Sequence, residues 1–213
     1  MFITFEGIEG SGKTSVLDRL CPALSDEGIS FVRTREPGGS ELGRALRAML
    51  LDGRTSLTNE AELFLYLADR AQHARQVIAP ALERGDLVIS DRYIDSTLCY
   101  QGHGRGMDLD RLIDLNNFAV GGLWPDLTLI FDLDPEISLK RARRRNIEEG
   151  IEVTQGRYEA ERLDFHRRIR RGYLALAEQY PQRCRTVDAS RPFDDVYYHV
   201  TQILEGHGIS LDE

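Results

Sequence analysis

The chain has 213 residues, with 27 Lys+Arg against 35 Asp+Glu and a formal net charge of −8. At 41% hydrophobic and 29% charged it reads as one globular domain with a real core, neither disordered nor fibrous. The acidic balance argues against general nucleic-acid binding, and no apolar run approaches the roughly 20 residues that span a bilayer.

Strand-like and helical patterns alternate along the chain. Ile3-Thr4-Phe5 is a short strand that stops at Gly7, and a helix is expected from about Lys13 to Glu27. Ile29 to Thr34 reads as a second strand, ended by Pro37-Gly38-Gly39. Leu42, Ala45, Leu46, Met49 and Leu50 have helical spacing over about 40–51. A longer helical stretch covers 59–84, with Pro80 a candidate break. Leu87 to Ser90 is a compact buried strand, followed by helices near 95–102 and 108–120. Leu127 to Phe131 is the clearest central strand. Pro135 suits the first turn of a helix to about Arg145. A polar loop is expected over 146–156, a charged helix over 157–179, a last strand at Thr186-Val187 and a last helix over 193–205. This alternation predicts an α/β fold with a doubly wound, mostly parallel sheet. In such folds the ligand sits beyond the carboxyl ends of the strands.

The start lacks a basic region before its apolar residues, so it is not expected to be a signal peptide. Cys21, Cys99 and Cys184 match no metal-ligand spacing and read as reduced thiols of a cytoplasmic protein. Charge is uneven. Residues 140–171 hold 11 Lys+Arg against 6 Asp+Glu, a local basic segment suited to a polyanion.

The first strand runs into Gly7-Ile8-Glu9-Gly10-Ser11-Gly12-Lys13-Thr14, a complete G-x-x-x-x-G-K-[ST] phosphate-binding loop. Its glycines let backbone N–H groups close around phosphates at the positive end of the next helix. Lys13 is expected to reach the β- and γ-phosphates, and the Thr14 hydroxyl to ligate Mg²⁺. Of the 27 basic residues 25 are Arg, and only Lys13 and Lys140 are Lys. That a Lys stands where a compact ammonium is needed supports a working loop. After the third strand, Asp91 is placed to hold the waters of a Mg²⁺ ion and Arg92 to bind a second phosphate bidentately. After the second strand, Pro37-Gly38-Gly39 has a plain reading as a helix entry. Tyr66 and Arg70 form an i, i+4 pair that suits a base-binding surface, although from spacing alone Tyr66 reads as a core residue.

These residues together resemble the thymidylate kinases of the bacterial type. The resemblance covers nearly the whole chain. It rests on FEGIEGSGKT at 5–14, TREPGG at 34–39, LADR at 67–70, DRYIDSTLCYQG at 91–102, PDLTLIFDLDPE at 125–136 and VDAS at 187–190. It implies a three-layer P-loop NTPase fold with a lid segment at about 142–160, and transfer of the γ-phosphate of ATP, with Mg²⁺, to dTMP. It implies a homodimer, with 59–83 or 108–120 expected to contribute. It places Glu9 near the sugar 3′-hydroxyl and the phosphates, Arg92 on the dTMP phosphate with Arg47 as helper, and Glu36 near the acceptor phosphate. Tyr66 falls where an aromatic ring stacks on thymine and Arg70 where the base carbonyl is bonded. Ser96, Thr97 and Gln101 lie on the dTMP side, and Tyr100 where a ring crowds the 2′ position. Ser190 and Arg191 belong to the loop that packs on adenine.

Some members of the family carry a catalytic arginine in the loop directly after the acid; here that position is Gly10. Members without it use a lid with an Asp-Arg-x-Glu pattern, and this chain has Gly156-Arg157-Tyr158-Glu159. Arg157 is therefore the first candidate for the catalytic arginine, with Arg143, Arg144 and Arg145 as rivals. The remaining arginines of 162–171 read as a solvated helix face. A related pyrimidine nucleotide or deoxynucleoside kinase is the neighbouring alternative. A nucleotide-regulated binding module is the remote one.

Overall fold

The computed structural model describes residues 1–151 and 156–211. Its strands are β1 (Phe2–Glu6), β2 (Phe31–Arg35), β3 (Leu87–Asp91), β4 (Leu127–Asp132) and β5 (Cys184–Asp188). They form one parallel sheet in the order β2-β3-β1-β4-β5. In β1, Ile3 and Phe5 point to one face, where they pack with Val16, Leu17 and Leu20. Phe2 points to the other and joins Ile78, Val88 and Leu112. A parallel sheet needs both faces covered, so its strands read as nearly continuous apolar runs.

The helices are α1 (Lys13–Asp26), α2 (Glu41–Leu51), α3 (Asn59–His73), α4 (Ala79–Glu83), α5 (Ile94–Thr97), α6 (Leu109–Val120), α7 (Pro135–Glu149), α8 (Leu163–Gln179) and α9 (Phe193–Glu205). Side chains of Ser40, Thr58, Asp108 and Asp134 cap α2, α3, α6 and α7. The N-cap of α1 is Gly12 in the left-handed region (φ 94°), with no side-chain cap. The first-turn N–H groups of α1 are thereby left for a ligand.

Several boundaries differ from the sequence expectation; the helix expected near 95–102 is α-helical only over Ile94–Thr97 and continues as a π-helical turn over Leu98–Gly104. The helix expected over 59–84 ends at His73 and passes through a π-helical turn, Ala74–Ile78, into α4. Pro80 then stands in a first turn, where a missing N–H costs little. α7 runs on to Glu149 and stops at Gly150 in the left-handed region (φ 65°). α8 begins at Leu163, because Gly156 to Glu161 fold into turns closed by Ala160 N–H to the Gly156 carbonyl and Glu161 N–H to the Tyr158 carbonyl. Residues 152–155 of the expected lid lie outside the described residues.

Register positions the site. Phe5 pairs with Asp91, and Glu6 with Ile130, so β1 and β3 end side by side while β4 runs two residues further. The glycine loop and Arg92 therefore emerge side by side where the strand order reverses.

Candidate active site

A cavity of about 790 Å³ opens at these strand ends. Eight basic side chains line it against six acidic ones, in a chain whose overall balance is acidic. Gly10 to Thr14 form one wall. Lys13 is folded into its own loop, with Nζ donating to the carbonyls of Gly7 (3.0 Å) and Ile8 (3.1 Å) and to Ser11 Oγ (3.3 Å). Burial, and then the nearby Arg92, push its ammonium down to about 8.

Thr14 Oγ1 lies 3.5 Å from Asp91 Oδ2, and Asp91 Oδ1 is buried with no hydrogen-bond partner. A hydroxyl beside a carboxylate with an open oxygen fits a hard cation such as Mg²⁺. No group of three His, Cys, Asp or Glu that could hold a metal occurs among the described residues, so such an ion would take its other ligands from phosphates and water.

Arg92 is the one described non-glycine residue in the left-handed region (φ 74°). Strain of this kind costs about 1–3 kcal/mol and persists only where the surroundings enforce it. Here the backbone N–H donates to the Phe5 carbonyl (3.0 Å). Nη2 donates to Glu9 Oε1 (2.9 Å) and Nη1 to Ser96 Oγ (3.2 Å) and Tyr173 Oη (3.3 Å). The guanidinium also lies over the Tyr100 ring at 5.0 Å. Both hydroxyls that receive Nη1 also donate to Glu6 Oε2, Ser96 at 2.6 Å and Tyr173 at 2.8 Å. Burial alone would raise the Glu9 carboxyl. Arg92, the His166 ring once it is charged in acid, and the Tyr100 hydroxyl outweigh it and hold the group below its ordinary value, so Glu9 is a carboxylate at neutral pH. Tyr100 Oη donates to Glu9 Oε1 at 2.5 Å.

On the far wall Arg47 Nη1 donates to the Pro37 carbonyl (2.9 Å). Arg70 is 1% exposed, and its guanidinium is divided among Glu36 (2.7 Å), Thr97 (2.5 Å), Asn116 (2.6 Å) and the Tyr93 carbonyl (2.8 Å). Tyr66 borders both the cavity and the apolar core, and burial raises its phenol to about 12. Thr97 and Gln101 complete this side.

Most residues expected from the sequence therefore meet in one cavity. Arg157 does not line it. Nη1 donates to the Leu50 carbonyl (3.1 Å) and Nη2 to Glu62 Oε2 (2.7 Å). Arg143 Nη2 donates to the Glu159 carbonyl (2.7 Å) and also stands off the cavity. From α7 it is Arg141 and Arg145 that line the wall. At the loop after β5 Arg191 lines the cavity, whereas Ser190 turns to Asp188. Sequence reasoning passed over Glu6, Tyr173, Arg141 and His166. Glu6 was visible as an acid closing an apolar strand. His166 was visible as a polar residue in the apolar stripe Phe165, Ile169, Tyr173, Leu176.

The glycine loop with Lys13 and the guanidinium of Arg92 line one cavity, an arrangement suited to transfer of a phosphoryl group between two phosphate-bearing molecules. A profile of the family described as thymidylate kinase matches residues 5–200. A thymidylate kinase of Nitratidesulfovibrio vulgaris (strain Miyazaki F) is 60% identical over 205 residues, covering 96% of this chain and 95% of the relative. One from Desulfovibrio desulfuricans is 54% identical over 208 residues, covering 97% and 96%. A crystal structure of thymidylate kinase from Ehrlichia chaffeensis superposes with a TM-score of 0.77 at 33% identity, covering 96% of this chain and 98% of that one. The chain belongs to the thymidylate kinase family.

Proposed function

We propose that the chain transfers the γ-phosphate of ATP to dTMP, giving ADP and dTDP. The observation that carries this reading is that the Lys13 loop and Arg92 face one cavity. The loop N–H groups, Lys13 and Thr14 hold the phosphates of ATP, and Arg191 borders its adenine end. Arg92, helped by Arg47, holds the phosphate of dTMP. Tyr66 stacks on thymine, with Arg70, Thr97 and Gln101 around the base edge and Tyr100 against the sugar. Glu36 holds Arg70 and His73 in place.

No general base is needed, because a phosphate oxygen of dTMP is already a nucleophile. Glu9, held as a carboxylate, positions Arg92 and Tyr100 rather than taking a proton. Catalysis is then in-line positioning plus neutralisation of charge on the transferring oxygens. Thr14 and Asp91 are the residues that would hold Mg²⁺, which would screen the charge of the phosphates. We assign the neutralising arginine to the basic face of α7, Arg141 and Arg145, because these line the cavity.

One kinase domain accounts for the whole chain. Among the described residues no helix is long and apolar enough to cross a membrane, and all three cysteines are free, which supports a cytoplasmic location. Phe64 on α3 is 60% exposed and Phe118 on α6 is 87% exposed. Two bare aromatic rings on packed helices support a homodimer through α3 and α6. Initial rates of ADP release with dTMP, dUMP, UMP, CMP and thymidine test the activity. Fastest turnover is expected with dTMP, and fastest turnover with thymidine contradicts the proposal.

A further inference from the structure

His166 on α8 is fully buried, and its two ring nitrogens face different partners. Nε2 lies 2.9 Å from the Tyr158 carbonyl oxygen. A carbonyl only accepts, so Nε2 carries the proton. Nδ1 lies 3.8 Å from Glu9 Oε2, and neither of those atoms has a hydrogen-bond partner. A carboxylate also only accepts. In the neutral imidazole two lone pairs therefore face each other, and 3.8 Å is too long for a hydrogen bond. Only the doubly protonated ring matches both neighbours. The other oxygen of Glu9 is already committed to Arg92 and Tyr100.

We infer that His166 is a positioning residue for Glu9: protonation of Nδ1 draws the carboxylate away from Arg92 and Tyr100 and so loosens the dTMP phosphate site. Closing the gap to a charge-assisted bond of about 2.8 Å moves the carboxylate by about 1 Å toward α8. The move is set against the bonds that Arg92 and Tyr100 make to Oε1. The charged and titratable groups facing the ring are Glu9 from the phosphate loop, Glu161 from the turn before α8 and Arg143 from α7. Burial pushes the imidazole below its ordinary 6.5, Glu9 and Glu161 oppose this, and Arg143 adds to it. The net direction is down. The ring is neutral at pH 7 and Glu9 is left to Arg92; the bond from His166 to Glu9 forms only in acid. The same ring is bonded to the segment carrying Tyr158, so its protonation would tie Glu9 to that segment.

This inference rests on the assignment of Glu9 and Arg92 to dTMP. Its test compares KM for dTMP at pH 7.5 and 5.5 in the wild type, His166→Gln and His166→Asn. The Gln variant keeps an amide donor for the Tyr158 carbonyl and cannot charge. The Asn variant offers Glu9 an amide N–H at every pH. The wild-type KM should rise about threefold or more beyond the rise in the Gln variant, with KM for ATP unaffected by the substitution. The second ionisation of dTMP is common to all three enzymes and cancels in the comparison. The Asn variant should show a raised dTMP KM already at pH 7.5. Superimposable dTMP profiles for wild type and Gln variant overturn the inference. If either variant fails to fold, NMR titration of the His166 ring decides: its pKa should fall in Glu9→Gln, and an unchanged value overturns the inference. Unchanged dTMP KM in Glu9→Gln and Arg92→Ala would instead sink the underlying site assignment.

Discussion

Arg157 Nη2 donates to Glu62 Oε2 at 2.7 Å, which turns this guanidinium toward α3 and away from the phosphate loop. Glu62 is 1% exposed and also receives Gln101 Nε2 (2.8 Å) and Arg105 Nη2 (3.2 Å). A buried carboxylate needs such partners, and this demand outcompetes the cavity for Arg157. Arg141 and Arg145 are left facing the site. Arg145→Ala and Arg141→Ala should each lower kcat, the stronger of the two by about 100-fold, the usual scale for one transition-state donor. Arg157→Ala should lower kcat by less than about tenfold and lower stability by roughly 1–2 kcal/mol, since Glu62 keeps two other donors. Steady-state rates and denaturant midpoints for the three variants check this.

Restoring an arginine inside the phosphate loop should not rescue those variants. Gly10 has φ 76°, and a Cβ there would lie 2.2 Å from the Ser138 carbonyl oxygen and 2.9 Å from the Ala142 nitrogen. Both are backbone atoms of α7 that cannot swing away. The left-handed backbone alone adds roughly 1–2 kcal/mol for any other residue. Gly10→Arg is therefore expected to lower the melting temperature and ATP affinity together. Gain of activity in Gly10→Arg/Arg145→Ala over Arg145→Ala would contradict this packing.

The open oxygen of Asp91 predicts a metal phenotype. Asp91→Asn should raise the Mg²⁺ concentration for half-maximal rate by about tenfold or more, and chelation should abolish turnover in the wild type. A variant with an unchanged Mg²⁺ titration would remove Asp91 from the metal site.

The exposed rings of Phe64 and Phe118 are testable as an interface. Phe118→Asp should convert a dimer to a monomer in sedimentation at micromolar concentration, with the melting temperature lowered by the lost assembly. A wild-type monomer under the same conditions would refute the proposed homodimer.

The sheet and the loop were legible from the sequence because each depends on a local pattern. The apolar runs of β1, β3 and β4 need no partner to be read, and Gly7 to Thr14 carries its function in its spacing. What the sequence left open depends on contacts between distant segments. Glu62 lies 95 positions from Arg157, and no local rule pairs them. Arg70 was expected on the base, and the fold also commits it to Glu36, Thr97, Asn116 and Tyr93. Arg170, read as solvated, chelates Asp132 at 2.6 and 2.8 Å. Helix ends moved for the same kind of reason. α7 outran its expected end because helix-compatible residues continue to Gly150, and a polar sequence does not by itself mark a loop.

The proposed function puts donor and acceptor phosphates at separate centres in one cavity, the first at the Lys13 loop and the second at Arg92. The most direct measurement is the pair of Michaelis constants in Arg92→Ala, with ATP varied at saturating dTMP and dTMP varied at saturating ATP. Loss of a bidentate guanidinium from the acceptor phosphate should raise KM for dTMP by about 30-fold or more while KM for ATP stays within about threefold. An equal rise in both constants would contradict the assignment.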